Sequence, residues 1–355
     1  MIKTQTITRD DVAKRAKVSP VTVSKVVNNL PGVQPESKIR VLKSIEELGY
    51  IPNNYAKKLA HSRNTDEHRL QTNCVGCILY RDYSKFTTPG NAEILQAIDR
   101  ELMKNKYHLC FYYSLNELEN DPLLFNKNVN AENIDGLIVL SSQLVGIYQQ
   151  VKQLIKNIVS ITEPLGEDDN DCVLSDSRQA GRLAVEYLYK LNHREIACIG
   201  ERGVKTEQLK VKGYKEALSD LGIDYKESYM GELEPNQTDP QLIKNSYELT
   251  CKIIDNNSAR PTAFFSTDHV ASIGIIKAVK DKGLRVPEDI SVIACGYDDK
   301  VKFMEPALTT VTFSYEELGK LAANRVLERI KRPDMEPVKL VVPFKITERE
   351  SCAAR

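Results

Sequence analysis

From residue 74 onward the sequence alternates short apolar runs with helical patterns. The runs are VGCILY, HLCFYY, GLIVLS, NIVSIT, CVLSD, EIACIG, TAFFST and ISVIACG, and helical patterns cover residues 92–103, 177–191, 207–221 and 269–280. This order is typical of βαβ units, which place helices on both faces of parallel sheets. The units divide near the polar stretch EPLGEDDND. We therefore expect an α/β core made of two doubly wound parallel-sheet subdomains.

Length and hydropathy limit the class of protein. A chain of 355 residues is too long for one compact core and predicts two or three domains. No apolar run approaches the roughly 18 residues that a membrane-spanning helix needs. The first residues, MIKTQTITRDD, lack the apolar stretch of a secretory signal. We expect a cytoplasmic protein that does not enter the membrane.

The eight cysteines form no recognisable framework. Cys74 and Cys77 make a CxxC, but they lie in NCVGCILY, which has the pattern of a strand. Three-residue spacing in a strand directs two side chains to opposite faces. This argues against a metal or redox site, and we expect buried thiols in a reducing compartment.

Positive charge is concentrated at the N-terminus. Residues 1–63 hold twelve Lys and Arg against five Asp and Glu, a net charge of +7, whereas the whole chain is neutral. A basic head on a neutral protein indicates a polyanionic partner, although an ordinary solvated surface is the alternative.

The head contains three short helical patterns. Thr8 and Asp11 have the spacing of a capping box, and Ser19 and Pro20 can begin a second helix. Val12, Ala13 and Ala16 share one face of the first helix, and Val23, Val26 and Val27 share one face of the second. The third helix, over 35–48, offers Val41, Leu42, Ile45 and Leu48 to cover the valines.

Two short helices with a tight turn favour a helix-turn-helix over a purely structural helical hairpin. The outward face of the second helix then becomes a surface that reads DNA. Lys25 can donate to guanine, Ser24 and Asn28 can reach phosphates or base edges, and Pro20 and Val21 can contact thymine methyl groups.

The run DVAKRAKVSPVTVSKVVNNLPGV…VLKSIEELGYIPNNYAKKLA closely resembles the head of LacI/GalR-family transcription repressors. The family pattern is DVAxxAGVSxxTVSRVLN, followed by a third helix that ends in ELGYxPN and by a hinge with AxxL. The resemblance implies specificity-setting positions at Pro20 and Val21. It also implies DNA contacts by further head residues, namely Thr8, Ser19, Thr22, Ser24, Lys25, Asn28, Tyr50 and Asn53.

The same resemblance implies a hinge helix in NNYAKKLA that lies in the minor groove. Leu59 would be wedged into the central base step, and Ala56 would pack against its dimer mate. Three residues depart from the pattern without removing it. Arg9 replaces an apolar residue, Lys25 stands where Arg is usual, and Gln34 holds a capping position where Ser is common.

The resemblance continues through the core. LSDSRQAGRLAVEYLYKLNHREIACIG follows the family pattern VDNxxAGxxAxxHLxxLGHxxIxxIG, with Asn192 in place of a glycine that ends a helix. RVPEDISVIACGYDD and PALTTVTFSYEELGKLAANRVLERI match later family segments. These matches imply subdomains of periplasmic-binding-protein type.

The predicted organisation has five parts. They are an all-α helix-turn-helix head (1–52), a hinge helix (53–61), a linker (62–73), a first core subdomain (74–163 and 309–332) and a second (172–300 and 338–350). The polar linker is expected to be a slack surface segment. The alternative hypothesis is that its slack weakens coupling between effector and hinge.

An effector cleft is expected between the subdomains, beyond the carboxyl ends of the strands. Sugar-binding members of the family use an Asp, an Arg, an Asn and a second Asp there. This sequence offers Thr162, Lys210, Thr267 and Asp298 at those places. The replacements leave three interpretations open: an anionic metabolite met by Lys210, a neutral sugar held by other groups, or control by a protein cofactor or by no effector at all.

The predicted function is sequence-specific transcriptional regulation, with repression as the usual sign in the family. The predicted partners are a palindromic double-stranded DNA operator, a second copy of the chain in a homodimer, and a small-molecule effector. Catalysis is not expected, because the sequence has no GxSxG, HExxH, P-loop or GxGxxG, and no cofactor is expected. A ligand-binding module without a DNA role is the alternative, but it leaves the +7 head unexplained.

Overall fold

The computed structural model describes residues 8–27, 31–48, 71–79, 89–140, 148–161, 170–235, 237–256, 259–296 and 301–355. The chain divides into two compact units, residues 1–71 and 72–355. Each unit has its own apolar core.

The head unit contains three helices, α1 (Arg9–Ala16), α2 (Pro20–Val27) and α3 (Pro35–Leu48). Their common core holds the residues predicted from the first two helices, except Val27, together with Val41 of α3; Val27 is only partly buried and packs against this core. Ile45 and Leu48 pack against this core, but Leu42 is 50% exposed, so its predicted contribution to the core is wrong. Leu42 lies next to the fully buried Val41, and adjacent residues of a helix point about 100° apart.

The first sheet of the core unit has the strand order β11-β5-β4-β3-β1-β2, with every pair parallel. The strands are β1 (Cys74–Leu79), β2 (His108–Ser114), β3 (Gly136–Val139), β4 (Ile158–Ile161), β5 (Asp171–Ser175) and β11 (Lys339–Val342). One face packs against α4 (Pro89–Lys104) and α12 (Tyr315–Lys331), and the other packs against α5 (Leu115–Asn120), α6 (Pro122–Asn128) and α7 (Tyr148–Leu154).

The second sheet has the order β12-β10-β9-β8-β6-β7, with β12 antiparallel to β10. Its strands are β6 (Ile196–Glu201), β7 (Met230–Leu233), β8 (Ala263–Ser266), β9 (Ser291–Cys295), β10 (Thr309–Thr312) and β12 (Lys345–Thr347). One face packs against α8 (Ser177–Lys190) and α9 (Lys205–Asp220), and the other packs against α10 (Asp239–Asp255) and α11 (His269–Asp281). Short 3₁₀ helices cover Glu227–Tyr229 and Val301–Phe303. The expected fold class, a helical head with two doubly wound sheets, is confirmed.

The chain crosses between the two sheets three times: after β5, after β10 and after β11. The predicted subdomain ranges placed β5 and β11 in the second subdomain and β10 in the first, whereas the sheets have the reverse assignment. The sequence pattern groups each strand with the helix that follows it. At a crossing the strand and the next helix belong to different sheets, so this grouping fails there. Aromatic rings pack together at two of these crossings. Phe313, between β10 and α12, lies 4.4 Å from Tyr315 and 5.1 Å from Phe344, between β11 and β12, measured between ring centroids.

A buried ion cluster fastens the crossing segment between β10 and β11 to the first sheet. Asp171 at the start of β5 is fully buried and accepts hydrogen bonds from the guanidinium groups of Arg325 and Arg329 on α12. It also accepts one from the backbone N–H of Val338, just before β11, at 2.9 Å. One carboxylate therefore joins β5, α12 and the segment that enters β11.

The expectation for Cys74 is wrong, because a disulfide joins Cys74 to Cys110 on the neighbouring strand, with their Cα atoms 5.5 Å apart. Cys110 lies at a register shift, where Val75 pairs with Leu109 and the next residue pairs with Phe111. The partner thus comes from strand pairing, which local cysteine spacing does not reveal. Cys77 is a buried free thiol, as predicted.

Helices α8 and α9 cross at glycines. A Cβ added to Gly181 would meet the carbonyl oxygen of Lys210, and a Cβ added to Gly213 would meet that of Arg178, each at 1.9 Å. Since both obstacles are backbone atoms, the helices can approach this closely only without side chains at the crossing. This contact fixes the helix that carries Lys210.

Gly181→Ala is expected to lower the free energy of unfolding by about 1–3 kcal/mol, because the methyl group forces the two helices apart. Denaturant unfolding of the full chain measures this change. Ser219→Ala on the exposed side of α9 is the matched control and should leave the midpoint nearly unchanged. Equal stability of both variants would contradict the proposed close contact.

Asn192 and His193 end α8 and connect it to the C-terminal residues. Asn192 has φ of 69°, which agrees with the predicted left-handed helix stop. The ring nitrogens of His193 lie 2.9 Å from the Thr262 hydroxyl and 3.1 Å from the Ala353 carbonyl oxygen. Burial lowers the pKa of His193, although the hydrogen bond to Ala353 acts in the opposite direction.

The lowered pKa of His193 gives the core a predictable pH dependence. The unfolded chain takes up a proton near the ordinary histidine pKa of about 6.5, before the folded chain does. The free energy of unfolding should therefore fall as the pH drops below that value. His193→Gln should flatten this decline between about pH 7 and 5, and the exposed His108→Gln should not. Parallel pH profiles for wild type and His193→Gln would contradict this assignment.

Candidate functional site

The start of α1 is held by a complete capping box. The Thr8 amide and hydroxyl donate to Asp11 Oδ2 at 2.8 and 2.6 Å, and the Asp11 amide donates to the Thr8 hydroxyl at 3.3 Å. These hydrogen bonds lower the pKa of Asp11. Thr8, which the resemblance names as a DNA contact, therefore also has a structural role at the positive end of α1.

The turn between α1 and α2 contains a signal that sequence reasoning missed. Lys17 has a left-handed backbone, with φ of 55°, at the position where the family pattern has glycine. After it, the Ser19 hydroxyl accepts from the Thr22 amide at 3.1 Å and lies 2.9 Å from the Thr22 hydroxyl. The predicted cap at Ser19 is confirmed, and it fixes the direction in which α2 leaves the turn.

Helix α2 separates buried from outward residues as its sequence predicts. Val23 and Val26 are buried, whereas Val21 is 65% exposed. Ser19 is also exposed, and the remaining predicted contact residues of α2 are half-buried: Pro20, Thr22, Ser24 and Lys25. The structure therefore brings these predicted contacts together on α2 and its cap. The predicted contacts Asn28, Tyr50, Asn53, Ala56 and Leu59 lie outside the described residues.

An ion pair fixes α3 against α1. The Arg15 guanidinium donates to Glu47 Oε2 from Nε at 3.0 Å and from Nη2 at 2.7 Å. Both side chains are more than one-third exposed, so this pair orients the helices more than it stabilises them.

A second group of polar residues lies at the carboxyl edge of the second sheet. Lys210 is on α9, which follows β6, and Thr267 directly follows β8. The Lys210 ammonium donates to Glu207 Oε1 at 2.6 Å and to the Thr267 carbonyl oxygen at 2.9 Å. The structure thus brings together two of the four predicted effector residues. Thr162 and Asp298 lie outside the described residues.

Glu207 neutralises the charge of Lys210. The two side chains are each only 13% exposed. Burial by itself would lower the pKa of Lys210, but the neighbouring Glu207 carboxylate outweighs it and raises that pKa. The ammonium group therefore stays protonated inside an ion pair. Sequence reasoning missed Glu207, although its spacing of three residues before Lys210 on one helix could have indicated the pair.

Three buried polar atoms at this edge have no hydrogen-bond partner among the described residues. They are Glu207 Oε2, Thr267 Oγ1 and His269 Nδ1, and the fourth such atom in the described part of the chain is Asn157 Oδ1. The Asp268 carboxylate is 3.9 Å from His269 Nδ1, too far for a hydrogen bond. Buried groups without partners are rare, and a cluster of them indicates a place where a ligand binds.

Comparison with known proteins agrees with this geometry. The profile of bacterial regulatory proteins of the lacI family matches residues 8–53, and that of the periplasmic binding protein-like domain matches residues 185–352. The chain is 30% identical over 351 residues to the HTH-type transcriptional repressor PurR of Klebsiella pneumoniae, covering 97% of this chain and 96% of that repressor. PurR of Erwinia tasmaniensis is 31% identical over the same length and coverage. The chain belongs to the lacI family of bacterial regulatory proteins.

Solved structures share the fold of this chain. A transcriptional regulator CelR–cellobiose complex is 25% identical with a TM-score of 0.67, covering 97% of this chain and 99% of CelR. The Lac repressor dimer bound to operator and the anti-inducer ONPF is 21% identical with a TM-score of 0.74, covering 99% and 100%. The lacI family match and the similarity to PurR show that this protein is a DNA-binding transcriptional regulator and not an enzyme.

Two further observations on the described residues concern membrane-spanning helices and metal sites. In that part of the chain no helix is long and apolar enough to cross a membrane. The same residues contain no group of three or more His, Cys, Asp or Glu side chains placed to hold a metal ion.

Proposed function

We propose that this regulator acts as a cytoplasmic homodimer that represses transcription from a palindromic operator, with an effector bound in the core controlling its operator affinity. The observation that carries the proposal is the outward face of α2. Val21 is exposed beside a capped, fixed helix start, while the opposite face is buried. A helix of this kind fits one major groove.

Each α2 would read one half-site, with half-sites about 34–36 Å apart for such dimers. Pro20 and Val21 would meet apolar base features, Lys25 would donate to a base edge, and the hydroxyls of the α2 cap would position the backbone. Asn28, Tyr50 and Asn53 are proposed contacts from the resemblance alone. The same holds for the hinge, where Leu59 would open the central base step and Ala56 would meet its dimer mate.

The effector would bind at the carboxyl edge of the strands, where Lys210, Thr267, Thr162 and Asp298 are its proposed contacts. A small molecule is favoured over a protein cofactor because CelR has been solved with cellobiose and an Enterococcus faecium family member with ribose. Binding would shift the relation between the two sheets and, through it, the operator affinity. Because the chain crosses three times between the sheets, each crossing segment must take up such a shift.

Lys25→Ala is expected to weaken binding to the operator by about 1–3 kcal/mol and to relax the base preference at one half-site position. The physical reason is the loss of a donor that reaches the base edge. Fluorescence anisotropy with the palindrome selected from random DNA, and with unrelated DNA of equal length, measures both effects.

Lys43→Ala is the matched control for Lys25→Ala. It removes the same charge from an exposed position of α3 and should weaken both DNAs slightly and equally, with a shallower salt dependence. If Lys25→Ala also weakens operator and unrelated DNA equally, Lys25 contacts only the backbone and its proposed reading role is wrong.

A further inference from the structure

The partnerless atoms at the edge of the second sheet carry information about the chemistry of the effector. Two of the residues that carry these atoms are held in place: Thr267 is only 1% exposed, and one carboxylate oxygen of Glu207 accepts a hydrogen bond from Lys210. The other Glu207 oxygen is buried and has no partner in the described part of the chain. A carboxylate oxygen is an acceptor, so the group that satisfies it must be an N–H or O–H donor.

The close packing of this edge keeps the orphan atoms in place. A Cβ on Gly200 would lie 3.0 Å from Thr267 Cγ2, and a Cβ on Gly296 would collide with the His269 ring. Gly200 lies within β6 and Gly296 directly follows β9, and a side chain at either position would fill the space near these atoms. The hydroxyl of Thr267 and the ring nitrogen of His269 can each donate or accept a hydrogen bond, so they fit many ligands. The Glu207 oxygen can only accept, and it therefore determines which ligand groups can bind here.

The charges of this edge disfavour an anion. Lys210 is the cation there, and Glu207 already neutralises it through a 2.6 Å contact in a nearly closed environment. Asp268 adds a further carboxylate, whose Oδ1 caps α11 by accepting from the amides of Val270 and Ala271. The charges of these three described side chains sum to a negative value. A phosphate or carboxylate placed beside Glu207 would bring like charges together where water screens them poorly.

We infer that Glu207 is a specificity-determining residue, and that the effector is a neutral or cationic molecule that donates hydroxyl or amino hydrogen bonds to Glu207 Oε2. This inference rests on the proposed function, because it assumes that a small molecule binding at this edge controls operator affinity. The inference favours a polyol or an amine as the effector over an anionic metabolite.

Charge fractionation tests the inference and needs no purified effector. A boiled bacterial extract is passed over an anion exchanger at about neutral pH, and the flow-through pool and the retained pool are each added to the full chain on its selected operator. Anisotropy then measures the change in operator affinity. We expect the flow-through pool, which holds neutral and cationic molecules, to change the affinity, and the retained pool to have no effect.

Glu207→Gln then tests the residue. It keeps one oxygen for Lys210 but presents N–H groups where the donor of the effector should bind, so the amount of flow-through pool needed for half the effect should rise at least about tenfold. Glu232→Gln is the control, since Glu232 is an exposed carboxylate on β7 with the same change of charge. If Glu207→Gln is too unstable, because it removes the charge that neutralises Lys210, the double variant Glu207→Gln/Lys210→Met removes both charges and should show the same loss.

The outcomes separate the inference from the proposed function. An effect confined to the retained pool overturns the inference and supports effector control. An effect of the flow-through pool that Glu207→Gln and Glu232→Gln share equally overturns the role of Glu207. If neither pool changes operator affinity, effector control itself fails, and the inference fails with it.

Discussion

One buried carboxylate, that of Asp171, fastens to the first sheet segments that connect the two sheets. It binds two guanidinium groups and a backbone amide, and thereby holds β5, α12 and the entry to β11 on the edge of the first sheet. Helix α12 and the entry to β11 form the crossing between β10 and β11, and β5 leads into the first crossing. Removing one partner would leave a charge buried without compensation, at a cost of about 3–5 kcal/mol. The crossing between β10 and β11 is therefore firmly anchored on one side, and the proposed effector would act on the other.

That other side is the carboxyl edge of the second sheet, where α9 presents Glu207 and Lys210. The position of α9 depends on its contact with α8, and α8 begins directly after the first crossing. A ligand that binds Glu207 and Thr267 would therefore contact elements connected in sequence to β5.

The sequence predicts the regular parts of this protein well and the tertiary contacts less well. Capping chemistry identified Thr8, Ser19 and Asn192, because each depends on its near neighbours in the chain. Strand β7 was missed, since MGEL has no apolar run, and the residue Asp171 was interpreted as part of a polar divider between subdomains. Its burial depends on Arg325 and Arg329, more than 150 positions away. The disulfide likewise arises from strand pairing that local spacing cannot show, whereas the pair of Glu207 and Lys210 could have been predicted from its three-residue spacing.

The most direct test of the proposed regulation is selection of bound sequences from random DNA by the full-length protein, repeated with and without a metabolite extract. We expect an enriched palindrome with a central pyrimidine–purine step, which is the step most easily opened by a wedged side chain, and an enrichment that changes when the extract is present. Selection without any enriched palindrome, or of a palindrome whose enrichment ignores the extract, would contradict ligand-controlled operator binding by this chain.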